Sequence, residues 1–164
     1  MPAAKIRILF VCMGNVCRSP LARGALERLL EQTGLLPHVE LDTAGTHAFH
    51  EGRGADPRAA AVAARRGMDL SRHRARRFRA EDFERFDYIL ALDRENLAYL
   101  EERAPAEHRD KVRLLLSFCP EVGREEVPDP YYGGLQGFDL VVDLVEVAAE
   151  ALVRHLRSEL RLAV

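Results

Sequence analysis

Cys12 and Arg18 stand six positions apart, bracketing Met13-Gly14-Asn15-Val16-Cys17, and Ser19-Pro20 follows directly. An ionised thiol is a nucleophile, and an arginine fork can hold two phosphate oxygens at once. The run Ile6-Arg7-Ile8-Leu9-Phe10-Val11 before the cysteine reads as a buried strand, and the run after the arginine reads as an amphipathic helix. At such a junction the first N–H groups of the helix are unpaired and its dipole favours negative charge. The same donors stabilise a thiolate and an incoming oxyanion, so Met13, Gly14, Asn15, Val16, Cys17 and Ser19 form a candidate phosphate cradle with Cys12 at its base. Gly14 allows close backbone approach and a positive φ, Asn15 tolerates the left-handed region and can tie the loop to itself, and the Ser19 hydroxyl is placed to donate toward sulfur.

A phosphoryl transfer to sulfur also needs a proton donor for the leaving group. Asp129 is the candidate, because Pro128 and Pro130 hold it from both sides at low entropic cost. Two other readings compete. A thiol-dependent arsenate reductase would use a similar loop, but it needs further cysteines to relay a disulfide, and only Cys119 lies outside the loop. A non-catalytic phosphate-binding module would not need nucleophile, arginine and acid together. A nucleotide-binding P-loop is excluded, since no Gly-Lys-Ser/Thr follows the glycine.

The elements that must position these groups alternate. Strands are expected at Ile6 to Cys12, Val39 to Ala44, Tyr88 to Ala91 and Val112 to Phe118. Helices are expected at about Pro20 to Thr33 (Ser19 capping, Gly34 ending), Asp56 to Arg66, Ala80 to Arg85, Asp93 to Arg103 and Phe138 to Leu160. Alternating strands and helices predict a three-layer α/β/α sandwich with a central, mostly parallel four-stranded sheet flanked by helices on both faces. Ligands in such sheets bind outside the carboxyl ends of the strands, where Cys12 falls.

The bulk properties agree. The chain has 164 residues, the size of one domain, with 48% hydrophobic and 30% charged residues. A net charge of −2 argues against a dedicated nucleic-acid or anionic-membrane partner. No apolar stretch approaches the ~20 residues that span a bilayer, and no signal peptide is visible, so a cytoplasmic protein with free thiols is expected. His47, His50, His108 and His155 have no metal-ligand spacing, and no metal or other cofactor is expected. The cluster Arg72, Arg74, Arg76, Arg77 and Arg79 is expected to be a solvated face balanced by Glu81, Asp82 and Glu84.

Cys12-Met13-Gly14-Asn15-Val16-Cys17-Arg18-Ser19-Pro20, with Asp129-Pro130-Tyr131-Tyr132, resembles the low-molecular-weight protein-tyrosine phosphatase family. Thr43-Ala44-Gly45-Thr46, Asp56-Pro57-Arg58-Ala59, Gly67, Ser71 to Arg76, and Asp87 to Asp93 with Asn96 follow its pattern too, so the likeness covers nearly the whole chain. It implies metal-free hydrolysis of aryl phosphates through a phosphocysteine on Cys12, with Asp129 as acid then base and Arg18 on the equatorial oxygens. It further implies pocket walls from Phe49, Tyr131 and Tyr132, a supporting network of Asn15, Ser19, Thr43 and His73, and a reversible disulfide between Cys12 and Cys17. Thr43 stands where serine is commoner. The implied partners are tyrosine-phosphorylated proteins or small aryl phosphates; from charge and composition no nucleic-acid or membrane partner is expected, and of the oligomeric states, which the sequence leaves open, a monomer is the expectation.

Overall fold

The computed structural model of the chain describes residues 5–47, 49–131 and 135–163. Strand β1 (Ile6–Cys12) has both faces covered from Ile8 onward, which is why Ile8 to Cys12 reads as an unbroken apolar run. Ile8 and Phe10 join one core, while Leu9 and Val11 join the other. Around β1 the strands β2 (Val39–Gly45), β3 (Tyr88–Ala91) and β4 (Val112–Leu114) take the order β2-β1-β3-β4. All three pairings are parallel. Helices α1 (Arg18–Thr33), α2 (Pro57–Arg65) and α5 (Leu135–Ala163) bury their apolar side chains in the first core. Phe83 of α3 (Asp82–Arg85) and Leu100 of α4 (Arg94–Arg103) fill the second. The result is an α/β/α sandwich in which all four strands run parallel.

From β1 the chain moves to one neighbour, β2, and then returns past β1 to β3 on its other side. The carboxyl ends of β1 and β3 therefore flank the point where strand order reverses, and there a crevice opens. Cys12 ends β1, and Asp93 follows just beyond β3.

Two expectations change. The fourth strand stops at Leu114, and Leu115–Phe118 forms a 3-10 turn. This edge strand pairs only with Ile89, Leu90 and Ala91, the last residues of β3, so nothing holds it extended beyond Leu114. A strand would also send Leu115 and Leu116 to opposite faces, whereas the turn buries both in the first core. Helix α1 starts at Arg18 with Cys17 in the cap position and no side-chain cap bond, so Ser19 lies inside the helix rather than capping it. Gly34 does end α1 in the left-handed conformation, φ 76°.

Candidate active site

The loop that follows Cys12 is held first by backbone. Thr46 N–H donates to the Cys12 carbonyl at 2.9 Å and His47 N–H to the Met13 carbonyl at 3.1 Å, extending the β1–β2 ladder past the sheet. A Cβ on Gly45 would lie 2.8 Å from the Met13 carbonyl oxygen, so this approach requires glycine. Of the two positions that could take a positive φ, Gly14 and Asn15, it is Asn15 that does (φ 60°), the single non-glycine residue with positive φ among the described residues.

Asn15 is fully buried and explains its own backbone. Its N–H points at Cys12 Sγ (3.3 Å), its Nδ2 donates to Ser19 Oγ (2.8 Å), and its Oδ1 accepts from Arg76 N–H (2.9 Å). Because Ser19 Oγ accepts from Asn15, its one proton is left for Cys12 Sγ, 2.9 Å away. Two donors therefore converge on the sulfur.

His73 closes the network from behind. Its Nε2 lies 2.6 Å from the Asn15 carbonyl oxygen, so Nε2 carries the proton. Burial, with help from the Arg23 and Arg74 charges, depresses the His73 pKa even though the Asn15 carbonyl opposes this. A histidine with a depressed folded pKa stabilises the fold fully above the unfolded value, and the contribution is lost as pH falls from there toward the folded pKa. The stability advantage of wild type over His73→Gln, measured by urea unfolding, should therefore shrink from about pH 7.5 to about pH 5.5. An advantage that grew toward acid would contradict a buried neutral imidazole.

Arg18 is buried and anchored by one nitrogen. Nη1 donates to Asp93 Oδ2 at 2.6 Å and to the Val127 carbonyl at 3.0 Å. Asp93 Oδ1 meanwhile accepts from Asn96 N–H at 2.8 Å, so one carboxylate both caps α4 and aims the guanidinium. Burial opposes the Arg18 charge, but Cys12, Asp93 and Asp129 outweigh it and raise its pKa. Its Nη2 lies 3.7 Å from Asp129 Oδ2.

Asp129 reaches this point on a tethered loop. Val127 N–H donates to the Leu92 carbonyl at 2.8 Å, Arg58 Nη2 donates to the Tyr131 carbonyl at 2.8 Å, and Tyr131 N–H donates to Asp129 Oδ1 at 3.0 Å. Arg58 is set in turn by Asp56, the N-cap of α2. Burial works against the Asp56 carboxylate, but the Arg58 side-chain and backbone donors prevail and lower its pKa. Asp56 N–H also donates to the Val16 carbonyl at 2.9 Å, joining the phosphate loop to the aspartate loop through α2.

Cys12 to Arg18, Phe49, His50, Asp129 and Tyr131 surround one pocket of about 260 Å³. Phe49 stacks on His47 with centroids 5.1 Å apart, and the His50 and Tyr131 rings lie 5.8 Å apart. The pocket thus has a polar floor and aromatic sides, which suits a phosphate on a flat ring. Cys17 is a buried free thiol; burial first, then Asp56, Cys12 and Asp129, push its pKa up, so it stays neutral. Thr43 is buried in β2 opposite Phe10, and among the described residues its hydroxyl makes no hydrogen bond to the loop. Tyr132 lies outside the described residues.

Sequence reasoning gives Asp56 and Asp93 roles only as helix caps and as parts of the family pattern, takes Arg58 only as part of that pattern, and gives His50 no chemistry. The Asp-x-Arg spacing at the start of α2 and the position of Asp93 beyond β3 were the available signals.

A family model described as low molecular weight phosphotyrosine protein phosphatase matches residues 7–162. A low molecular weight protein-tyrosine-phosphatase of Streptomyces coelicolor is 47% identical over 157 residues, covering 93% of this chain and 94% of that one. The crystal structure of a protein tyrosine phosphatase from Entamoeba histolytica is similar with a TM-score of 0.91 and 38% identity, covering 94% and 99% of the two chains. A structure described as a Drosophila arginine phosphatase is similar with a TM-score of 0.83 and 32% identity, covering 92% and 97%.

Proposed function

The chain belongs to the low molecular weight phosphotyrosine protein phosphatase family, and from that premise we propose that it hydrolyses phosphotyrosine in proteins, or small aryl phosphates, through a phosphocysteine. The observation that carries the reading is the convergence of Cys12, Arg18 and Asp129 on one aromatic-walled pocket.

In the first step Cys12 Sγ attacks phosphorus and the P–O bond to the phenol breaks. The Asp129 carboxyl gives its proton to the departing oxygen. In the second step Asp129, now a carboxylate, takes a proton from water as that water attacks phosphorus; the P–S bond breaks and the thiolate returns. Arg18 and the loop N–H groups hold the three equatorial oxygens through both steps, so catalysis is mainly positioning and electrostatic stabilisation. Asn15 and Ser19 then receive the charge back on sulfur.

The reductase alternative loses ground on one observation. Cys119 is fully buried in the first core and does not line the pocket, so it is poorly placed to relay a disulfide.

A panel of matched peptides carrying phosphotyrosine, phosphoserine or phosphoarginine, assayed with chelator present, tests the substrate class. Phosphotyrosine should exceed phosphoserine in kcat/KM by at least about two orders of magnitude, because the shorter ester leaves the aromatic walls unused and its phosphorus short of Sγ. Phosphoarginine is included because one structural relative is described as an arginine phosphatase. Equal turnover of all three would remove the assignment.

A further inference from the structure

Resting on the phosphotyrosine reading above, we propose that Arg53 and Arg74 form a cationic rim beside the pocket that selects polypeptide substrates carrying Asp or Glu close to the phosphotyrosine.

The geometry starts from the wall of the pocket. Beyond Phe49 and His50 the chain turns, with Arg53 N–H donating to the His50 carbonyl at 2.9 Å. This turn is zipped to the stretch that carries His73. Gly52 N–H donates to the Ala75 carbonyl at 2.8 Å, and Ala75 N–H donates to the Arg53 carbonyl at 2.8 Å. His73 and Ala75 point inward and are buried, which leaves Arg74 between them exposed. Arg74 Nη1 is steadied by the His73 carbonyl at 2.7 Å and lies 3.6 Å from where a Cβ on Gly54 would sit. Arg53 and Arg74 thus rise from two adjacent, hydrogen-bonded segments, and Arg53 is three residues from pocket-lining His50.

Among the described residues the expected acidic balance of the Arg72 to Arg79 cluster reaches only Arg76 as an ion pair. Arg76 takes up Asp82 at 3.0 Å and Asp42 at 3.2 Å. Asp82 also accepts from Arg79 N–H. Neither Arg53 nor Arg74 makes an ion pair among the described residues, although the exposed carboxylate of Glu51 lies in the same turn. In a chain of net charge −2, this puts two exposed cations on the segments that continue the pocket wall from His50. An extended peptide advances about 3.3–3.6 Å per residue, so acidic side chains within about two to four residues of the phosphotyrosine fall within its reach. Exposed pairs of this kind are individually weak and salt-sensitive, and they act on specificity and encounter rate rather than on the chemical step.

The test uses phosphotyrosine peptides of one length with acidic, neutral or basic flanks, and a small aryl phosphate. At low ionic strength the acidic peptide should exceed the neutral one in kcat/KM by about three- to tenfold, and the advantage should vanish near about 0.5 M salt. The double variant Arg53→Glu/Arg74→Glu should prefer the basic peptide instead, with the small aryl phosphate within about twofold of wild type. A reversal of preference is something mere loss of folding cannot produce. No flank preference in wild type, or the same preference in the variant, would overturn the proposal while aryl phosphate turnover persists. So would flank-independent turnover accompanied by arginine-dependent binding to RNA or anionic vesicles. Absence of aryl phosphate turnover by wild type would overturn the phosphatase reading and this proposal with it.

Discussion

Cys12→Ser is expected to lower kcat on a small aryl phosphate by at least about four orders of magnitude while the fold is kept. The expectation follows from what surrounds the sulfur. Ser19 Oγ and Asn15 N–H both act as donors toward it. Donors stabilise a thiolate, but they cannot take a proton from a serine hydroxyl, which stays protonated at neutral pH without an adjacent base. The imidazole of the network is committed elsewhere, since His73 Nε2 bonds the Asn15 carbonyl. A serine at position 12 would thus sit in a phosphate cradle without the means to attack. Aryl phosphate assays with chelator present, alongside thermal unfolding, check this. Equal turnover by the two proteins would remove Cys12 from the mechanism, and phosphate binding by an inactive variant is the companion result expected.

Asp129→Ala should show a loss that depends on the leaving group. On a poor leaving group the proton is needed as the P–O bond breaks, and the loss should reach about two to four orders of magnitude. On a good leaving group the first step needs little help, and breakdown of the phosphocysteine becomes the slow step. Asp129→Asn is the control for packing, because the amide keeps the shape and can still accept from Tyr131 N–H. Plots of rate against leaving-group acidity for the three proteins make the comparison. Losses of the same size on all leaving groups would assign the proton to another residue.

Much of the scaffold was legible because it rests on local signals. The run Ile8–Cys12 is apolar throughout, and Asp56, Asp93 and Gly34 punctuate helices as their chemistry predicts. The fourth strand was misread because its length depends on how far its neighbour β3 extends, which no local pattern carries. Ser19 reads both as a partner of the sulfur, from which its Oγ lies 2.9 Å, and as a cap, a role it cannot fill because α1 already begins one residue earlier, at Arg18. Asp93 shows the wider difficulty. Its Oδ1 caps α4 by accepting from an N–H three residues on, but its Oδ2 meets Arg18 across 75 positions. The Arg58 bond to the Tyr131 carbonyl spans 73. Such partnerships exist only once the sheet has brought the ends of β1 and β3 together. The pairing of Asp42 and Asp82 with Arg76, and with no other arginine of the Arg72 to Arg79 cluster among the described residues, belongs to the same class of long-range facts.

The central claim is that phosphorus passes through the Cys12 sulfur, and rapid acid quench of Asp129→Ala during turnover of an aryl phosphate with a good leaving group tests it most directly. Without the base for the second step, peptide mass spectrometry should find one phosphoryl group on the peptide containing Cys12, decaying as phosphate is released. Steady turnover with that peptide unmodified at every time point, or with the phosphoryl group on a different residue, would contradict the account.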